Sequence, residues 1–212
     1  MRIYFKSFFY LIVSIATGAA IAGAYEDFFR AVGMDDDRGV QRLLAQGFDP
    51  NAVDPKGQTA LILALRDGSP KVAEALWRSP QLEVDRLNAS GETALMMAAL
   101  HGRVEWMRRL LERGAKPHRE GWSPIHYAAT GPQAAAVALM LDRGAPIDAR
   151  SPNGTTPLMM AARYGTEASV DLLLSRGADA TKRNDLQLDA ADFARQGGRE
   201  YLVERLQRAA KR

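Results

Sequence analysis

The chain has 212 residues, 47% hydrophobic and 25% charged, which suits one globular or solenoid domain with a substantial core. It contains no cysteine, so disulfides, thiolate metal sites and a cysteine nucleophile are excluded. The formal net charge is +3, but Arg2 and Lys6 lie in an acid-free leader. Beyond residue 24 there are 26 basic residues against 25 acidic ones, so the charge balance gives no sign of nucleic-acid binding.

The leader reads MRIYFK, then SFFYLIVSIATGAAIAGA. Two basic residues precede an apolar run, and Ala22-Gly23-Ala24 forms a small-x-small cleavage signal. This order predicts a secretory signal peptide over residues 1–24, cut after Ala24. The alternative is an uncleaved inner-membrane signal anchor. Both readings place the rest of the chain outside the cytoplasm. Arginine outnumbers lysine and alanine is abundant, a composition usual in bacteria with GC-rich genomes. The expected compartment is therefore the bacterial periplasm, with no membrane association after cleavage.

Beyond the leader a unit recurs. Gly57, Gly91, Gly121 and Gly154 each stand two residues before a hydroxyl residue (Thr59, Thr93, Ser123, Thr156), at spacings of 34, 30 and 33. Such a period marks one supersecondary piece stacked on its neighbours. The cleanest copy runs from Ser151 to Ala180. Thr156 caps a helix and Pro157 suits its first position, where a missing N–H costs nothing. Leu158, Ala161 and Ala162 share one face, and the alanines allow close approach of a neighbouring helix. Gly165 breaks that helix. A second helix from near Thr166 carries Val170, Leu173 and Leu174, and Gly177 stops it as a left-handed cap.

The other units follow in order. Residues 25–53 read as an N-terminal capping repeat, with Phe28, Phe29, Ala31 and Val32 on one helix and Val40, Leu43 and Leu44 on the next. The run Asp35-Asp36-Asp37 lacks the ligand spacing of a calcium loop and is expected to cap a helix N-terminus. Residues 54–87 form the first full repeat, whose second helix opens at Ser69-Pro70, places Trp77 at a core position and has no glycine stop. Residues 88–117 form the next. In residues 118–150 the loop is short: Gly114 to Gly121 spans 7 residues, where Gly47 to Gly57 and Gly144 to Gly154 span 10. Pro132 is expected to start the second helix of that repeat. Residues 151–180 are the last full repeat. Residues 181–212 form a C-terminal cap, with Asp189 in place of the capping hydroxyl and Leu202, Val203 and Leu206 turned inward.

The segments TALILAL, TALMMAA, SPIHYAA and TPLMMAA, each followed by a second helix ending in LL-x-x-G-A or a variant, resemble the ankyrin repeat. The resemblance runs from about Tyr25 to the C-terminus. It implies an all-α solenoid of helix-turn-helix units with short β-hairpin fingers over residues 25–212. It also implies a protein-binding scaffold that uses the concave face made by fingers and first helices. On that face the family's variable positions fall at Arg66, Leu100, His101, Trp122, Arg163 and Tyr164. Trp, Tyr and Arg are the types enriched at binding hot spots. Two readings stand for Trp122: a partner anchor beside the notch left by the short finger, or a ring collapsed into that notch.

No residues of a catalytic site stand out. His101, His118 and His126 form no H-x-x-x-H or H-E-x-x-H pattern, and no nucleophile elbow, phosphate loop or paired acids appear. His126 matches the histidine of the family's T-P-L-H motif, which hydrogen-bonds locally to support the turn. Asn88-Ala-Ser90 and Asn153-Gly-Thr155 are N-glycosylation sequons on predicted fingers, inert in a bacterium. The reading is therefore a monomeric, non-enzymatic scaffold without cofactor or metal, whose partner is another periplasmic protein and not nucleic acid. An adaptor or chaperone-like role is the first reading; an inhibitor or immunity protein that neutralises a toxin or enzyme is the alternative.

Overall fold

The computed structural model describes residues 22–211. The expected signal peptide therefore lies outside the described residues except for Ala22, Gly23 and Ala24, which are helical. Among the described residues every regular element is a helix. None of these helices is long and apolar enough to cross a membrane. The chain divides into two compact units, ending and starting at Glu83 and Val84.

The first unit holds α1 (22–33), α2 (Asp37–Ala45), α3 (Ala60–Asp67) and α4 (Pro70–Trp77). Helix α4 packs against both α2 and α3. Phe28 is fully buried and stacks on Phe48 at 4.4 Å, while Tyr25 donates to the Val53 carbonyl at 2.6 Å. The aspartate run caps helices, as its sequence predicts. Asp36 Oδ1 accepts from Gly39 N at the start of α2. Asp35, in a left-handed conformation (φ 51°), accepts instead from Val72 N in the first turn of α4. Trp77 is half-buried rather than fully in the core.

The second unit is a two-layer stack of helix pairs: α5 (Ala94–Leu100) with α6 (Val104–Glu112), α7 (Pro124–Thr130) with α8 (Ala134–Asp142), α9 (Pro157–Tyr164) with α10 (Glu167–Ser175), and α11 (Ala190–Gln196) with α12 (Glu200–Ala209). The first helices α5, α7, α9 and α11 pack side by side in one layer, and α6, α8 and α10 do so in the other. This is the all-α repeat solenoid that the period demands, since one pair cannot bury its own apolar face. Leu95, Ile125, Leu158, Met107, Met140 and Leu173 are all fully buried between the layers. The repeat period also sets side chains about 34 residues apart next to each other. Arg119 pairs with Asp85 (2.8 Å), Arg176 with Asp142 (3.1 Å), and Arg205 with Asp171 (3.0 Å).

Helix starts follow the sequence. Thr59, Thr93 and Thr156 accept through their side chains from Ile62 N, Met96 N and Met159 N, and Asp189 accepts from Asp192 N at 3.0 Å. Helix α8 begins at Ala134, two residues past Pro132. The expected β-hairpin fingers form no strands among the described residues; their β character is one antiparallel bridge, Val53 to Thr59. Each regular finger is a five-residue turn, too short for a ladder. In residues 88–92, Asn88 N donates to Glu92 O (2.9 Å) and Gly91 N to Asn88 O (3.0 Å), while Asn88 Oδ1 accepts from Ser90 N and Glu92 N. Residues 54–58 and 184–188 repeat the same bonds with Asp54 and Asn184. Asn88, one of the two sequon asparagines, is thus buried and fully engaged in its turn.

Candidate functional site

The repeat at residues 118–150 departs from this pattern. His118 stands where the other fingers carry Asp54, Asn88, Ser151 or Asn184, and no reciprocal backbone pair closes the turn. Its Nδ1 lies 3.4 Å from Ser123 Oγ, which also faces Arg119 N at 3.4 Å, at the weak end of hydrogen-bond range. The finger ends at Trp122. The ring is neither free nor collapsed: it is 37% exposed and meets His126 edge-on at 5.3 Å.

His126 is fully buried. Its Nδ1 accepts from Ser123 N at 3.2 Å, closing the first turn of α7. Its Nε2 faces two carbonyls of the next finger region, Ala149 O at 3.0 Å and Thr155 O at 3.1 Å. A donor on one side and two acceptors on the other fix a neutral ring with the proton on Nε2. Burial holds its pKa below 6.5. The histidine is thus a structural link between two repeats.

Beside Trp122 a cleft of ≈ 200 Å³ opens, lined by Leu100, Trp122, His126, Tyr127, Thr130 and Met160. It lies along α5, α7 and α9. Tyr127 and Met160 occupy the same place in successive first helices, four residues past the cap. Leu100 and Thr130 stand seven past it, so a single helical stripe supplies most of the lining. The Tyr127 hydroxyl donates to Glu92 Oε1 at 3.0 Å, and burial together with that carboxylate pushes its pKa up. Of the residues expected at the binding face, Leu100 and Trp122 meet in this cleft. Arg163 and Tyr164 lie at the end of α9, one turn past Met160. The Arg163 guanidinium sits 5.0 Å from the Tyr164 ring and donates to Gln196 Oε1 at 2.7 Å. Tyr164 is 53% exposed. His101 is exposed at the C-cap of α5. Arg66 belongs to the first unit, where it pairs bidentately with Asp67 at 2.6 and 2.9 Å.

Sequence reasoning passed over Tyr127, Thr130 and Met160. The stripe of positions four and seven past each cap would have found them. It also missed Arg199, whose Nη1 donates to the carbonyls of Ala161, Ala162 and Gly165 at 3.0, 3.1 and 2.8 Å. That cation closes the C-terminal end of α9 from the following repeat. Among the described residues no group of His, Asp or Glu is placed to hold a metal ion.

Stacked helix pairs, tight fingers and an exposed aromatic cleft on the first-helix layer define a helical-repeat protein built to present side chains to a partner. A family model, ankyrin repeats in three copies, matches residues 28–120 and 115–184, and the chain belongs to the ankyrin-repeat family. Ankyrin repeats are protein–protein interaction modules. The chain is 45% identical over 78 residues to human neurogenic locus notch homolog protein 4, covering 35% of this chain and 4% of that protein. It is 32% identical over 138 residues to notch homolog protein 1 of Xenopus tropicalis, covering 56% of this chain and 5% of that protein. It is 34% identical over 133 residues to the mouse B-cell lymphoma 3 protein homolog, covering 59% of this chain and 30% of that protein. The match thus spans less than a third of the length of each of these relatives.

Proposed function

We propose that this chain is a non-enzymatic adaptor of the bacterial periplasm that binds another exported protein through the first-helix face of residues 84–211. The observation that carries the reading is the apolar cleft walled by a partly exposed tryptophan, with an exposed tyrosine and a cation one turn away on α9. Aromatic residues and arginine at such a place are the usual anchors of an interface. The near-neutral balance past residue 24 favours a protein partner over nucleic acid. Export is supported by the basic, apolar and small-x-small order of residues 1–24. The adaptor acts as a monomer.

The test is capture from periplasmic extract with wild-type protein and Trp122→Ala, followed by mass spectrometry. One exported protein is expected on the wild type and depleted on the variant. Trp122 is partly exposed, so its edge-on contact should contribute only about 1 kcal/mol to stability. A large fall in Tm with capture retained would show that the ring serves the stack and not a partner. The identity of the captured protein separates an adaptor from an inhibitor or immunity protein. Intact mass of the secreted protein checks cleavage after Ala24.

A further inference from the structure

The cleft beside Trp122 has ≈ 200 Å³ of space. Sites for drug-sized ligands begin near roughly 300 Å³, whereas a cavity of about 150 Å³ accepts one benzene ring. Its size therefore fits a single large side chain. Trp122, Tyr127 and His126 supply rings, Met160 a thioether and Leu100 an aliphatic wall. Rings favour edge-to-face partners, and sulfur favours aromatic edges. Thr130, Tyr127 and His126 each direct a polar group into the repeat and away from the cleft. Thr130 Oγ donates to His126 O at 2.9 Å, Tyr127 donates to Glu92, and both nitrogens of His126 are satisfied. The accessible lining of the cleft is almost wholly apolar, so the hydroxyl-free ring of phenylalanine is favoured over tyrosine.

Charge selects the neighbouring residue. Arg163 stands one turn from Met160 on α9, lies over Tyr164 and donates to the neutral amide of Gln196. Among the described residues no carboxylate pairs with it. Glu92, the acid bonded to Tyr127, has its second oxygen held by Asn88 Nδ2 at 2.8 Å. Given that this face binds a protein, we propose that the cleft seats a phenylalanine side chain of an extended segment of the partner, with an aspartate or glutamate next to it pairing with Arg163.

The probes are three acetylated, amidated tetrapeptides: Gly-Phe-Asp-Gly, Gly-Phe-Lys-Gly and Gly-Ala-Asp-Gly. Binding is read from the methyl resonance of Met160, assigned with Met160→Leu, in protein labelled at its methionine methyls. The phenylalanine peptides are expected to shift that resonance saturably, and the alanine peptide is not. The aspartate peptide should bind about five-fold more tightly than the lysine one, as a partly exposed ion pair allows, and Arg163→Gln should remove the difference. Leu100→Trp fills the cleft and should abolish the shift at unchanged Tm. No saturable shift at millimolar peptide, or an equal shift with the alanine peptide, overturns the proposal. If wild type and Leu100→Trp capture the same extract protein equally well, the cleft assignment falls while the protein-binding reading stands.

Discussion

Residues 118–150 and 151–180 are adjacent copies of one unit, and they solve the same joint differently. In the second, the finger is closed by Ser151 N to Thr155 O at 3.0 Å, Gly154 N to Ser151 O at 2.8 Å and Thr155 N to Ser151 Oγ at 3.0 Å. In the first, the loop leading into the finger, Gly114 to His118, is three residues shorter, and the finger lacks those bonds. Compensation comes from the helix that follows. His126 carries an acceptor for its own cap and a donor for the next finger in one ring. Met159, at the same place in the next repeat, offers only a sulfur acceptor to Thr156 N at 3.3 Å. The following finger is then held from elsewhere, by Asp185 N donating to Asn153 O at 3.0 Å. A tight finger leaves the position three past the cap free to be apolar, as at Met159. A short one hands the linking task to a buried polar ring and leaves an aromatic at its tip.

The sharpest break of the regular repeat is Leu158→Ala. Leu158 is fully buried between helices, so the loss should be about 2–5 kcal/mol. Hydrogen exchange should show reduced protection spreading to Leu202–Leu206; unchanged protection there would mean that the cap folds alone.

Next come the glycines. Gly131 and Gly165 occupy the inter-helix turns of the two compared repeats in extended backbone, and both press on the preceding first helix. A Cβ at Gly131 would stand 2.7 Å from Ala99 O, and one at Gly165 would run into Ala129 O. Alanine at either site should cost roughly 1–3 kcal/mol from overpacking. Gly177 is different: its surroundings are open but its φ is +91°, so Gly177→Ala should cost only about 1 kcal/mol, from conformation alone. Urea unfolding of all three variants measures the contrast. Equal losses would remove the packing account.

The fingers themselves give a smaller contrast. Ser151→Ala leaves the buried Thr155 N–H of a regular finger only its long 3.4 Å contact with Asn153 Oδ1 and should cost about 1 kcal/mol. His118→Ala removes one long contact of the short finger and should stay within about 0.5 kcal/mol. A large effect at His118 would mean that the short finger is held more firmly than its bonds suggest.

The mildest probe is pH. Burial lowers the pKa of His126, so the unfolded chain binds the proton more readily than the folded one. The stability attached to this group is complete above pH 6.5, its unfolded value, and falls as pH drops below it. Melting temperature measured across that window should decline more steeply for wild type than for His126→Gln. Parallel curves would show that other groups account for the decline.

Much of this molecule is legible in one dimension because its information is periodic. The capping residues Thr59, Thr93, Thr156 and Asp189 act on N–H groups three residues on, and the left-handed glycines stop helices within a turn; both are local, so spacing reveals them. The paired layers follow as well, since an apolar stripe of this period has only its neighbour to pack on. Other assignments needed coordinates. Gly165 reads as a helix breaker, yet the proximity of Ala129 O is what forbids a side chain. Arg199 reads as a surface cation, yet it reaches back more than thirty residues to two carbonyls of α9 and that of its C-cap Gly165. The outward positions were readable from the repeat, but their grouping was not. Leu100 and Trp122 share a cleft with Tyr127 and Met160, while Arg66 is engaged by its own neighbour Asp67. Sequence sets which side chains leave a helix on one face, because that depends on a fixed angle per residue. Which of them meet is decided by distances between repeats, and those depend on loop length and on the size of every residue packed at the joint.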